Sequence, residues 1–248
     1  MKGLLIDITK CIGCNACAEA CREKNGLPEA KAANLGGERL SATRYTVVEQ
    51  RGDHYVRRMC MHCNDPTCAS VCPVGAFRKT KLGPVTYDAA KCIGCRYCML
   101  ACPFGVPRYE WDARWPKVSK CDLCADRLAA GQPTACAEAC PTAATLFGDR
   151  DQLVEEARKR LAAAPGDYTD RIYGLQEVGG TAVLFLSPKP FAEMGMSTAL
   201  QSDPLPLLTH RVLSKIPHLV SLGGVLLGGV WWITHRREEV AREEGGRS

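Results

Sequence analysis

Sixteen cysteines stand between Cys11 and Cys140, and residues 141–248 hold none. They fall into four runs of four. Cys92, Cys95, Cys98 and Cys102, closed by Pro103, follow the spacing C-x2-C-x2-C-x3-C-P. In that spacing three thiolates take three corners of one iron–sulfur cube, and the fourth reaches a second cube. Cys11, Cys14, Cys17 and Cys21 repeat it, down to the Cys-Ile-Gly-Cys start, with Arg22 in place of the proline. Cys60, Cys63, Cys68 and Cys72 widen the middle gap to four residues. Cys121, Cys124, Cys136 and Cys140 stretch it to eleven.

Zinc is the competing metal, and it takes pairs of C-x2-C knuckles separated by longer loops. The second and fourth runs suit that pattern. The first and third do not, because cysteines at i, i+3 and i+6 crowd one tetrahedral ion but suit a cube. A disulfide scaffold would not repeat a three-residue spacing this way. Every run keeps four thiols, so four [4Fe–4S] clusters are expected. Spacing alone leaves open which runs exchange their fourth ligand. His62 lies inside a run that already has its four thiols, so a packing or hydrogen-bonding role is expected. Lys10, Lys91 and Lys120 each precede the first cysteine of a run, as solvated charges or as cations that favour a reduced cluster. No catalytic residue is expected, since no phosphate loop and no nucleophile–base constellation stands out.

The elements between the runs must hold these loops. Gly13 and Gly94 fall where the loop amides have to approach a cluster, which suits a residue without Cβ. Residues 26–43 read as an irregular connection, and 45–49 with 54–57 as a hairpin around Gly52. Further strands are expected over 85–87 and 181–186. A helix over 152–163 is capped by Asp149 or Asp151 and carries Leu153, Ala157 and Leu161 on one face. Trp111 and Trp115 are expected to pack over a cluster. The net charge of +5 is too mild for a nucleic-acid partner, and 6% aromatics make no stacking platform.

Residues 216–234 carry no formally charged side chain. At 1.5 Å per residue they span about 28 Å, close to the roughly 30 Å bilayer core. Trp231 and Trp232 followed by Arg236 and Arg237 suit a membrane interface, and Gly224 to Gly228 forms G-x-x-x-G. A transmembrane helix is expected, the competing reading being a glycine-rich buried or interfacial helix. The surplus of arginine beyond it favours a cytoplasmic tail and an external cysteine domain. The stretch before Cys11 leaves no room for a signal peptide. A cytoplasmic location, export alongside a signal-bearing partner, or prior processing would each account for that. The expected plan is a cluster domain over 1–190, a linker over 191–215, the span over 216–234 and a charged tail over 235–248.

The cysteine order, the stretch from Met61 to Cys68 and the gap of eleven resemble the four-cluster iron–sulfur subunits of molybdopterin oxidoreductases and periplasmic hydrogenases. The likeness runs over about residues 3–187. The stretch from Tyr173 to Thr181, with Pro190 and Phe191 and one span, is most similar to the membrane-anchored subunits of formate dehydrogenase and quinone-reducing nickel–iron hydrogenase. The resemblance implies an α+β fold of two ferredoxin-like dicluster modules with a pseudo-two-fold relation, plus one C-terminal transmembrane helix. It pairs the first run with the fourth and the second with the third. The implied ligand sets are Cys11, Cys14, Cys17 and Cys140; Cys21, Cys121, Cys124 and Cys136; Cys60, Cys63, Cys68 and Cys102; and Cys72, Cys92, Cys95 and Cys98.

The implied role is a non-catalytic relay in the prokaryotic cytoplasmic membrane. Its implied partners are a nickel–iron hydrogenase or a molybdopterin or tungstopterin enzyme, and a quinone- or cytochrome-type membrane subunit in the lipid bilayer. The alternatives are a soluble iron–sulfur enzyme or redox regulator, or the same relay run toward a terminal reductase.

Overall fold

The computed structural model describes residues 1–28 and 39–245. Residues 29–38 of the expected connection, and 246–248 of the expected tail, lie outside the described residues. The chain divides into two compact units, Met1–Leu205 and Pro206–Ser248.

The first unit opens on β1 (Lys2–Asp7), followed by the first cysteine run and α1 (Ala16–Lys24). Next come the hairpin β2 (Val47–Arg51) and β3 (His54–Arg58), then the second run with α2 (Thr67–Ser70). A second hairpin, β4 (Phe77–Lys79) with β5 (Val85–Tyr87), leads to the third run and α3 (Tyr97–Ala101). Two short strands, β6 (Arg108–Tyr109) and β7 (Val118–Ser119), precede the fourth run, which carries α4 (Ala125–Ala129) and α5 (Ala135–Glu138). The unit closes with β8 (Thr145–Asp149), α6 (Arg150–Ala163) and β9 (Val183–Leu186).

One sheet organises this unit. β1 lies between β8, antiparallel to it, and β9, parallel to it. Successive side chains on a strand point to opposite faces, and β1 uses both. Leu5 packs with Leu153, Val154 and Ala157 of α6 and with Leu184 and Leu186. Leu4 and Ile6 face the other way, into a core shared with Val56, Met59, Tyr173, Phe185 and the thiols of Cys121, Cys124 and Cys136. Each fully buried leucine contributes about 1.5–3 kcal/mol. The cysteine loops therefore rest directly on the sheet. A smaller cluster of Phe77, Val85, Cys98 and Val118 supports the middle runs.

Asp7, at the end of β1, is fully buried. It accepts hydrogen bonds from Thr9 N at 3.1 Å, Tyr168 Oη at 3.0 Å and Arg160 Nη1 at 2.8 Å. Helix α6 is thereby fastened four residues before Cys11.

Two expectations are corrected. Residues 191–204 do not behave as a linker: Phe191, Met194 and Met196 are buried in the core of the first unit, and Val178 N donates to Gln201 O at 2.8 Å. Apolar anchors set between prolines and glycines fold the segment back. Trp115 is 80% exposed and so is not packed over a cluster, while Trp111 packs on Tyr109 and on Arg96 of the third cysteine run.

The second unit contains α7 (Leu205–Leu213) and α8 (Ile216–Gly245). Within it, Leu205–Arg242 is long and apolar enough to cross a membrane by length and composition. Leu219, Val225, Leu227 and Val230 are all exposed. Helix α8 continues through most of the expected tail, where Arg236 and His235 approach Glu239 at 3.3 and 3.6 Å.

Candidate metal centres

The first and third cysteine loops share one backbone shape. Gly13 and Gly94 both have φ of +73°, and the residues two places on, Asn15 and Arg96, have φ of 58° and 63°. Two left-handed residues per loop curl the chain tightly before the helix begins. A Cβ at position 13 would come within 2.5 Å of the Tyr55 ring, and one at position 94 within 3.1 Å of Tyr109 Oη. The second and fourth loops share a different device, a left-handed residue just before the second cysteine: His62 at 50° and Leu123 at 56°.

Helix α1 packs against α5, and α2 against α3. The first run thus meets the end of the fourth, and the second meets the third. Cys11, Cys14, Cys17 and Cys140 line one cavity, walled by Ile6, Val48, Arg57 and Thr145. Cys60, Cys63, Cys68 and Cys102 line another, walled by Pro66, Thr67, Val85 and Lys120. Cys21 interacts with Cys136 and Cys124, and Cys121 with Cys21 and Cys136. Cys98 interacts with Cys92, Cys95 and Cys72. Cys14 and Cys95 are exposed, while Cys21, Cys98, Cys121, Cys124 and Cys136 are buried.

Burial in apolar surroundings disfavours a thiolate. It pushes Cys21 and Cys68 up to about 12 and Cys98 up to about 11, with neighbouring thiols adding to the effect. Cys72 and Cys140 end below the ordinary thiol value, because backbone N–H groups outweigh their burial. Both precede proline, and the turn that follows aims amides at the sulfur. Ala76 N lies 3.2 Å from Cys72 Sγ. Cys102, also before proline, has amides of Val106, Phe104 and Gly105 around it, although burial still leaves its thiol raised. Cys21 lacks the proline: α1 runs on to Lys24, and Asn25 Nδ2 donates to its sulfur at 3.5 Å instead.

Five cations and one imidazole surround these groups. Lys10 and Lys91 are exposed, but Lys120 is 7% exposed and donates to the carbonyls of Val85 and, at 2.8 Å, Cys121. Lys79 donates to the carbonyls of His62 and Cys63 at 3.0 and 2.8 Å, and burial pushes its ammonium down to about 8. His62 is fully buried, and its Nδ1 accepts from Val85 N at 2.9 Å. Burial, reinforced by Lys120 and Lys79, holds it well below the usual imidazole range, so it is a neutral hydrogen-bonding group. Arg57, 3% exposed, is the charge that sequence reasoning missed.

Residues 10–76 and 53–150 each match a 4Fe-4S dicluster domain. A protein of Nitratidesulfovibrio vulgaris is 44% identical over 98% of this chain and 69% of its own length. The hydrogenase-2 operon protein HybA of Escherichia coli O157:H7 is 36% identical over 98% of this chain and 87% of its own. The nitrate-inducible formate dehydrogenase iron–sulfur subunit of Escherichia coli K12 is 37% identical over 73% of this chain and 66% of its own. The chain belongs to this family of 4Fe-4S dicluster iron–sulfur subunits.

The residues of this iron–sulfur subunit fit such clusters. A [4Fe–4S] cluster takes four thiolates and accepts hydrogen bonds at sulfur, and both the thiol groups and the amides are there. Thr67 Oγ1 is buried without a hydrogen-bond partner in the wall of the second cavity, a donor left over for a sulfur. Among the described residues, no three His, Cys, Asp or Glu side chains close on one point as a single metal ion requires.

Proposed function

We propose that the chain carries four [4Fe–4S] clusters and relays electrons between a hydrogenase or formate dehydrogenase catalytic subunit and a quinone- or cytochrome-type membrane subunit. Bound clusters would supply one-electron carriers; the chain's residues hold them, exclude water and set their potentials. The ligand sets are Cys11, Cys14, Cys17 and Cys140; Cys21, Cys121, Cys124 and Cys136; Cys60, Cys63, Cys68 and Cys102; and Cys72, Cys92, Cys95 and Cys98.

The observation that carries the reading is the order of these groups. Cys17 interacts with Cys136, Cys121 with Cys60, and Cys68 with Cys98. Those three proximities support a serial order of the sets. The first and last sets each offer one exposed cysteine, Cys14 and Cys95, beside exposed Ile12 and Ile93. A wire needs accessible ends and an insulated middle, and this arrangement supplies both.

The repeated loop geometry, with Gly13 and Asn15 matching Gly94 and Arg96, and His62 matching Leu123, supports two modules with a pseudo-two-fold relation. The names of the relatives support the choice of catalytic partners. The apolar helix of the second unit supports a single-pass anchor in a prokaryotic cytoplasmic membrane. The surplus of arginine after residue 234 supports a periplasmic cluster domain. The chain itself performs no catalysis in this scheme.

The test is purification from native membranes in mild detergent, with analysis of metals, copurifying subunits and hydrogen and formate oxidation. Roughly sixteen iron and sixteen sulfide per chain are expected. Zinc, or about twelve iron, would count against the four-cluster relay.

A further inference from the structure

Arg57 is a charge that the relay has not yet used. It lies on β3 opposite Val48 of the hairpin and is 3% exposed. Its Nε donates to Thr46 Oγ1 at 2.9 Å and its Nη1 to Thr145 Oγ1 at 3.2 Å. A further side-chain hydrogen bond goes to Cys136, and among the described residues Arg57 is in no ion pair with a carboxylate. A guanidinium stays protonated in proteins, and burying a charge without an opposite one is costly. The two hydroxyls hold the group in place but do not neutralise it.

Its position identifies the missing negative charge. Arg57 lines the cavity of Cys11, Cys14, Cys17 and Cys140. It also reaches Cys136 of the neighbouring set, and Cys136 and Cys17 are the thiols that favour its charge against the effect of burial. The guanidinium therefore stands between the first two cysteine groups. Four thiolates leave a [4Fe–4S] site net negative, and each added electron makes it one unit more so. A fixed cation nearby favours the reduced state, and net charge is among the factors that set cluster potentials.

We propose that Arg57 is a potential-setting residue shared by the first two cluster sites, stabilising the reduced form of both. The inference rests on the reading of the cysteine sets as cluster ligands. The electron comes from the catalytic partner and leaves along the wire, and Arg57 neither gains nor loses a proton. The exposed Lys10, one residue from Cys11, serves as a solvent-screened control.

The test is a redox titration followed by electron paramagnetic resonance on the purified complex. Arg57→Gln, Arg57→Lys and Lys10→Gln are compared with wild type after iron and sulfide analysis of each. Wild-type protein with fewer than four clusters would undo the underlying reading; a full complement lets the potentials judge Arg57 separately. In Arg57→Gln the reduced-to-oxidised ratio of two clusters, at fixed potential, should fall at least tenfold, which is about 59 mV for a one-electron couple. Arg57→Lys should restore most of that ratio, and Lys10→Gln should leave it unchanged. Unchanged potentials in Arg57→Gln, or equal shifts in all four clusters, would overturn the proposal. So would failure of every variant, Arg57→Lys included, to load clusters, since that would mark a purely structural role.

Discussion

Arg160 of α6 donates to Asp7 of β1 at 2.8 Å, although the two residues are far apart in sequence. The carboxylate is fully buried and the guanidinium is 15% exposed. This pair clamps the helix to the strand that feeds Cys11. Arg160→Met would leave a buried carboxylate with only Thr9 and Tyr168 as donors. Removing one partner of a buried pair costs about 3–5 kcal/mol, and the residual donors and partial exposure favour the lower end. A melting temperature lower by roughly 6–12 °C is expected for a unit of this size, measured by calorimetry on the loaded protein. A fall of less than 2 °C would mean that Arg160 is an ordinary surface charge.

Much of this architecture was legible in the sequence because it is local. The hairpin around Gly52, the strand at 183–186 and helix α6 follow from turn residues and periodicity. The curled loops follow from cysteine spacing and the glycine at each start. Which thiols share a cavity was not legible from spacing, because it depends on α1 meeting α5 and α2 meeting α3 across the chain. The family resemblance supplied that grouping. Arg57 was hidden for a related reason: on an isolated hairpin it reads as a solvent-facing charge, and only packing over the sheet buries it. Among the three lysines that precede cysteine runs, only Lys120 is buried; nothing in its immediate neighbours distinguishes it.

Gly13 and Gly94 share a φ but not an environment, so their alanine variants should differ. Both substitutions incur left-handed strain of about 1–2 kcal/mol. Gly13→Ala also drives its methyl into the Tyr55 ring, whereas Gly94→Ala meets only a movable hydroxyl. Gly13→Ala should lose more iron on purification than Gly94→Ala. Adding Tyr55→Ala should recover part of the loss at Gly13. Equal iron loss in the two single variants would show that backbone strain alone governs these loops.

The grouping of thiols predicts which cysteine variants act on the same cluster. Cys140→Ser and Cys11→Ser should perturb one resonance signal, although many residues separate them. Cys21→Ser, in the same run as Cys11, should perturb the signal affected by Cys124→Ser. The pair Cys102→Ser and Cys63→Ser should behave alike, as should Cys72→Ser and Cys95→Ser. The measurement is the set of low-temperature resonance spectra of the reduced variants. If Cys11→Ser and Cys21→Ser altered the same cluster, the exchange of fourth ligands would be wrong.

The second unit should tolerate surface change but not charge in its apolar stretch. Leu222 and Leu226 are exposed side chains in the apolar stretch of α8. An arginine at the centre of a membrane helix costs about 2.5–3.5 kcal/mol, so Leu222→Arg with Leu226→Arg approaches about twice that. The double variant should move from the carbonate-resistant membrane fraction to the wash, which also strips peripheral contacts to partner subunits. Its iron content should stay at the wild-type level, because every cysteine lies in the other unit. Arg236→Gln, beyond the apolar stretch, should remain in the membrane fraction. Retention of the double variant after carbonate would remove the anchor from the scheme, while leaving the cluster sites of the first unit untouched.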